Sequence, residues 1–169
     1  AEDTGSRSTA IGAFALGSQD AGTVNAYNTA IGYNSSGETT TGTNNTSVGA
    51  LALAANTTGA SNTAVGSGSL DANTTGGTNT SIGKDSLSAN TTGTANTGLG
   101  HNALESNTTA DNNTAVGKDA LRNNTTGASN VAVGKDAMSI NTASYNTAVG
   151  TSALAVNTTG YRNLAVGIS

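Results

Sequence analysis

Residues 62–78 read NTAVGSGSLDANTTGGT, and residues 79–95 read NTSIGKDSLSANTTGTA, the same phrase with small substitutions. So short a period constrains the fold more than any other property, because one unit cannot bury an apolar face alone and must stack on its neighbours. The glycine that closes each NTAVG-like pentapeptide falls at Gly12, Gly32, Gly49, Gly66, Gly83, Gly100, Gly117, Gly134, Gly150 and Gly167. The interval is 17 residues through most of the chain. It is 20 at the first step, which places a surface insertion near residues 18–22, and 16 where NTAS at 141–144 replaces NTTGAS. The copies fill residues 1–169 as a single repeat domain.

Inside the pentapeptide the pattern has a period of two, the signature of a strand. The residue before the glycine is Ile, Val or Leu throughout, as at Ile11, Val65, Val116 and Val149, and is expected to face inward. Two residues earlier stands Thr, replaced by Val131 and Leu164 in two copies, on the same face. Between them only small residues occur, among them Ala64, Ser81, Gly98, Ala115 and Ala132. These are expected to form an outer stripe against which another chain can pack closely. The leading Asn is expected to stack from coil to coil as a ladder. Leu53, Leu70, Leu87, Leu104, Leu121, Met138 and Leu154, four residues after the glycine, supply a further inward column, and NTTG closes the coil as a turn.

The expected fold is therefore all-β: a self-associating parallel β-solenoid, of β-roll or β-helix type, with about ten 17-residue coils. Ten coils at the ~4.8 Å strand spacing make a rod roughly 48 Å long.

Composition explains why nothing more conventional fits. Val, Ile, Leu and Phe number 25 of 169 residues, about 15% and below what ordinary globular cores hold. Charged residues are only 9% with a net charge of −4, unlike typical disordered chains. Stacked like charges about 5 Å apart would cost on the order of 1 kcal/mol per pair even in water, which accounts for their scarcity. Six Lys and Arg spread along the chain do not make a basic stripe for nucleic acid. Cysteine is absent, so no disulfide or thiolate site is expected. No apolar run approaches the ~20 residues of a membrane helix. The start at Ala1 reads as a mature N-terminus after signal removal, which points to an extracellular, cell-surface or virion location.

The run AIGAFALG at 10–17, NTAIG at 28–32 and the later NTAVGxxAL copies resemble the head repeat of trimeric autotransporter adhesins. The NTAVGxxALxxNTTG form is similar to arrays in bacteriophage tail-fibre and related surface-fibre proteins. The resemblance spans essentially the whole chain. It implies a β-roll, trimeric association and a role in surface attachment.

Candidate sites are few. His101 lies in the column of Lys84, Lys118 and Lys135 and lacks a positioned nucleophile or acid. Asp85, Asp119 and Asp136 are read as compensating those lysines rather than holding Ca²⁺, which takes six to eight oxygens. Neither a catalytic, a cofactor nor a metal site is expected. Asn-Thr-Thr matches the glycosylation sequon at Asn56, Asn73, Asn90, Asn107, Asn124 and Asn157, although a turn with a Thr ladder is the favoured explanation of the motif. For self-association along the axis the end coils matter: Thr9 and Ile11 at one end, Leu164 and Val166 at the other, with AEDTGSR able to reach across the joint.

The function expected from these features is that of a non-enzymatic structural protein, part of an extracellular or virion fibre, with itself as partner in a trimer or a head-to-tail filament. An ice-binding β-solenoid is the alternative, on the strength of adjacent threonines such as 57 and 58 or 74 and 75. An adhesin head binding a surface glycan is another, for which Tyr27, Tyr33, Tyr145 and Tyr161 are too scattered to form a stacking platform.

Overall fold

The computed structural model describes residues 7–20 and 25–168. Most of the leading AEDTGSR segment and residues 21–24 of the expected insertion lie outside the described residues. The protein is a parallel β-solenoid repeat. Each pentapeptide contributes a three-residue strand: β1 (Thr9–Ile11), β2 (Thr29–Ile31), β3 (Thr46–Val48), β4 (Thr63–Val65), β5 (Thr80–Ile82), β6 (Thr97–Leu99), β7 (Thr114–Val116), β8 (Val131–Val133), β10 (Thr147–Val149) and β12 (Leu164–Val166). These pair in chain order into one ten-stranded parallel sheet that encloses nine turns of chain. Register is constant along it: Thr63 pairs with Thr80, Ala64 with Ser81, Val65 with Ile82, and so on up the rod. Two short strands near the C-terminal end, β9 (Ile140–Asn141) and β11 (Val156–Asn157), form a second sheet on another side of the coil.

The facing of the strands is the reverse of the sequence expectation. Ala30, Ala64, Ala115, Ala132 and Ala148 are fully buried within the chain, as are Ser47 and Ser81, and Gly98 takes the buried position of β6. The stripe of Ala64, Ser81, Gly98, Ala115 and Ala132 is therefore core and is not open to another chain. The Ile, Val and Leu before each glycine look outward: Ile82, Leu99 and Val149 are exposed, and Val65 and Val116 partly so. Thr, with its substitutes Val131 and Leu164, shares that outer face.

The physical reason is the narrowness of the coil. Leu53, Leu70, Leu87, Leu104, Leu121 and Met138 are all fully buried and cluster with Ala52, Ala103, Ala120 and Ala137 and with the strand alanines. A leucine reaching in from one wall leaves room for only a methyl group from the other. At Gly98 even a Cβ would collide with the Ser86 hydroxyl and lie 3.5 Å from Leu87 Cδ1.

The turn that delivers each leucine is conformationally costly. Leu53, Leu70, Leu87, Leu104 and Leu121 have φ between 49° and 55°, a left-handed conformation worth about 1–2 kcal/mol against an ordinary residue. Complete burial of the side chain, worth roughly 1.5–3 kcal/mol, offsets it. The repeat glycine is required for a different reason. Gly66 has φ 134°, and a Cβ there would sit 2.5 Å from the Gly83 carbonyl oxygen of the next coil.

Two internal asparagine ladders hold the coils in register. In the first, each pentapeptide Asn accepts from the backbone N–H of the next: Asn62 N to Asn45 Oδ1, Asn79 N to Asn62 Oδ1 and Asn96 N to Asn79 Oδ1, at 2.9–3.0 Å. The ladder expected at this position thus runs from backbone to side chain. In the second, the turn asparagines bond side chain to side chain, Nδ2 to Oδ1, from Asn73 to Asn56 and onward through Asn90, Asn107, Asn124 and Asn141 to Asn157, at 2.9–3.2 Å. Each also donates to a carbonyl that closes its own turn, as Asn90 does to Gly93 at 3.1 Å. Buried amides are stabilising only when paired in this way. Serines enter the core by the same rule. Ser69 donates to the Ser81 hydroxyl at 2.8 Å, and Ser81 to the Ser86 carbonyl at 2.7 Å.

Candidate functional surface

With alanine, leucine and asparagine turned inward, what the rod offers outside is the other half of each strand. Ten strands in one register present two parallel columns, threonine and β-branched or leucine. From β1 to β7 the first column is threonine without interruption. No residue of these ten strands is charged. The hydroxyls of Thr63, Thr80, Thr97 and Thr114 have no hydrogen-bond partner among the described residues. Hydrophobicity along the sequence assigns these side chains to the core and so hides this face. The signal was nevertheless there, since the larger set of an alternating pair is too big for so thin a coil.

The NTT threonines behave differently. Thr57 Oγ1 donates to the Thr74 carbonyl at 3.0 Å, Thr74 to Thr91 at 3.1 Å and Thr91 to Thr108 at 3.1 Å, so in these three pairs the first hydroxyl is spent on joining coils. The sequon asparagines are also withdrawn. Asn56, Asn73, Asn90, Asn107 and Asn124 are fully buried and Asn157 nearly so, with Nδ2 engaged in the ladder. The glycosylation expectation at these six positions is corrected accordingly: a glycan on that nitrogen removes a donor and cannot be accommodated inside the coil.

Charged residues cluster on the turns after the glycines of the middle coils. Lys118 pairs with Asp119 at 3.1 Å and Lys135 with Asp136 at 3.0 Å, and Lys84 with Asp85. Arg122 pairs with Glu105 at 2.6 Å. Burial would raise the Asp119 carboxyl, but a 3.0 Å hydrogen bond from Asn102 Nδ2 and the charges of Lys118 and Arg122 hold it below the usual range. Its contribution to stability is present above the unfolded-state pKa and is lost as pH falls through the folded one. His101 is exposed in the lysine column. Among the described residues, no three His, Cys, Asp or Glu side chains converge as a metal site.

Among the described residues, Asp71 is the carboxylate in an unfavourable place. Its Oδ1 is buried without a hydrogen-bond partner. Burial pushes its carboxyl above the usual range, helped by the Asp85 charge and opposed by the N–H groups of Asp71 and Ala72. A raised pKa means that the folded state resists ionisation, a penalty present at neutral pH and relieved on acidification. Asp71→Ser, which copies Ser88 one coil later, is expected to raise the melting temperature at pH 7. The gain over wild type shrinks as the pH is lowered through the carboxyl range, and melts followed by circular dichroism at several pH values check this.

The aromatic residues lie near the two ends. Phe14 and Tyr33 meet edge to face with centroids 5.9 Å apart. The Arg7 guanidinium lies 6.0 Å from the Tyr27 ring and that of Arg162 5.8 Å from Tyr161. The postulated axial residues occupy the outermost strands of the ladder, Thr9 and Ile11 on β1, Leu164 and Val166 on β12. Leu164 and Val166 are 74% and 73% exposed and belong to the outer face, not to an inward-facing end coil. Among the described residues no helix is long and apolar enough to cross a membrane. Comparison with protein families, characterised proteins and solved structures finds no match for the chain.

Proposed function

We propose that the chain is a non-enzymatic structural protein, a stiff element of an extracellular, cell-surface or virion fibre that assembles with copies of itself. The observation that carries this reading is the parallel ladder from β1 to β12, in which successive strands of the ten-stranded sheet are joined by the same backbone bonds. Strand β10 already receives β12 through Gly167 N to Val149 O at 2.9 Å and gives Thr147 N to Asn163 O at 2.8 Å. A coil of a second copy laid on the edge of β12 uses that same pattern of donors and acceptors. Such a head-to-tail contact does not close on itself and propagates. The resemblance to surface-fibre repeats points the same way.

Electron microscopy of the purified chain is expected to show thin unbranched fibres with an axial repeat near ~48 Å, ten coils at strand spacing. Compact particles whose size does not change with concentration in light scattering would remove axial assembly from the reading.

A further inference from the structure

We propose that the outer Thr-x-Val face of the ten-stranded sheet binds ice, through ordered water held against its hydroxyl and methyl groups. This goes beyond the fibre reading and does not depend on axial assembly.

Three features of the face select this occupant. It is periodic in both directions, with side chains repeating about every 4.8 Å along the rod and about every 6.6 Å along a strand. It is stiff, because threonine, valine and isoleucine have restricted χ1, and because the two asparagine ladders lock successive coils in one register. It is uncharged, and the hydroxyls of Thr63, Thr80, Thr97 and Thr114 are not used by the protein. A hydroxyl can take a place in a hydrogen-bonded water lattice, and a neighbouring methyl can sit in a lattice cavity. A charge would instead orient water around itself.

The composition of the face argues against a protein in the same place: these strands contain no Trp, Tyr or Arg, the residues that anchor protein interfaces.

The structure also moves the ice-binding threonines from where the sequence put them. Among the adjacent threonines of NTT, Thr57, Thr74, Thr91 and Thr126 give their hydroxyls to neighbouring coils, whereas the strand threonines Thr63, Thr80, Thr97 and Thr114 do not.

The test measures thermal hysteresis and ice-crystal shape with the full chain. Wild type is expected to hold freezing below melting and to facet growing crystals. Thr80→Tyr combined with Thr97→Tyr is expected to lose most of the hysteresis, while Thr109→Tyr, on an exposed NTT turn, keeps it. Leu164 occupies the threonine column naturally, so bulk at this position is compatible with the coil; circular dichroism melts of each variant verify the fold. Absence of hysteresis and of crystal shaping in wild type overturns the proposal, as does full activity in the folded double variant. A wild-type dimer or trimer that the double variant dissociates, seen by light scattering, would assign the face to a second copy and also overturn it.

Discussion

Ala115→Asp is expected to collapse the central coils, whereas Val116→Asp, one residue along the same strand, leaves them standing. Ala115 is fully buried between Gly98 and Ala132 in the ladder and faces the leucine column of Leu104 and Leu121. A carboxylate there has neither water nor a cation, and burying an unpaired ionisable group costs several kcal/mol, on the order of 3–5. Even Ala115→Leu, which adds only hydrocarbon, is expected to cost about 1–3 kcal/mol, because the opposite wall is already filled. Val116 is on the outer face and partly exposed, so an aspartate at that position remains hydrated and costs about 1 kcal/mol or less. In a solenoid each coil is stabilised by its neighbours, so a lesion in the middle separates the rod into two weakened halves. Chemical denaturation of the two aspartate variants side by side checks this. Equal destabilisation would contradict this facing, and the opposite order would mean that the strands face the other way.

Asn107→Asp is expected to be comparably damaging although it changes one atom. Asn107 Nδ2 donates to Asn90 Oδ1 and to the Ala110 carbonyl, both at 3.0 Å, and its Oδ1 accepts from Asn124 Nδ2 at 3.2 Å. Aspartate keeps the acceptor and loses both donors, so a buried carboxylate is turned toward two oxygens. Each unsatisfied buried partner costs about 1–3 kcal/mol, more when the group is charged. Because the folded state resists ionisation of this carboxyl, its folded pKa is raised. The loss is therefore full at neutral pH and diminishes on acidification, where the protonated group regains one donor. Urea melts at pH 7 and at pH 4 measure the two limits. A variant equally destabilised at both would show that the ladder contributes through shape alone. Spontaneous deamidation at these positions is the same chemical change, and the complete burial of Asn107 within the coil opposes it.

The period, the strand positions, the turns and the leucine column were all legible in the sequence, because each follows from local rules. Alternation marks a strand, Asn and Gly mark the turn, and a 17-residue repeat with so little apolar volume leaves stacking as the only way to bury a core. The scarcity of charge was legible for the same reason, since in-register repeats multiply every repulsion. What local rules do not contain is the sign of the alternation. Thr-Ala-Val has two faces, and hydrophobicity alone would turn valine inward, yet the coil is so thin that Leu87 from one wall leaves only the space of Ala or Gly on the other. That competition for volume exists only once the turn has folded back on the strand, so tertiary packing decided it. The same packing buried the sequon asparagines, converted the expected docking stripe into core, and left the Thr-x-Val columns outside.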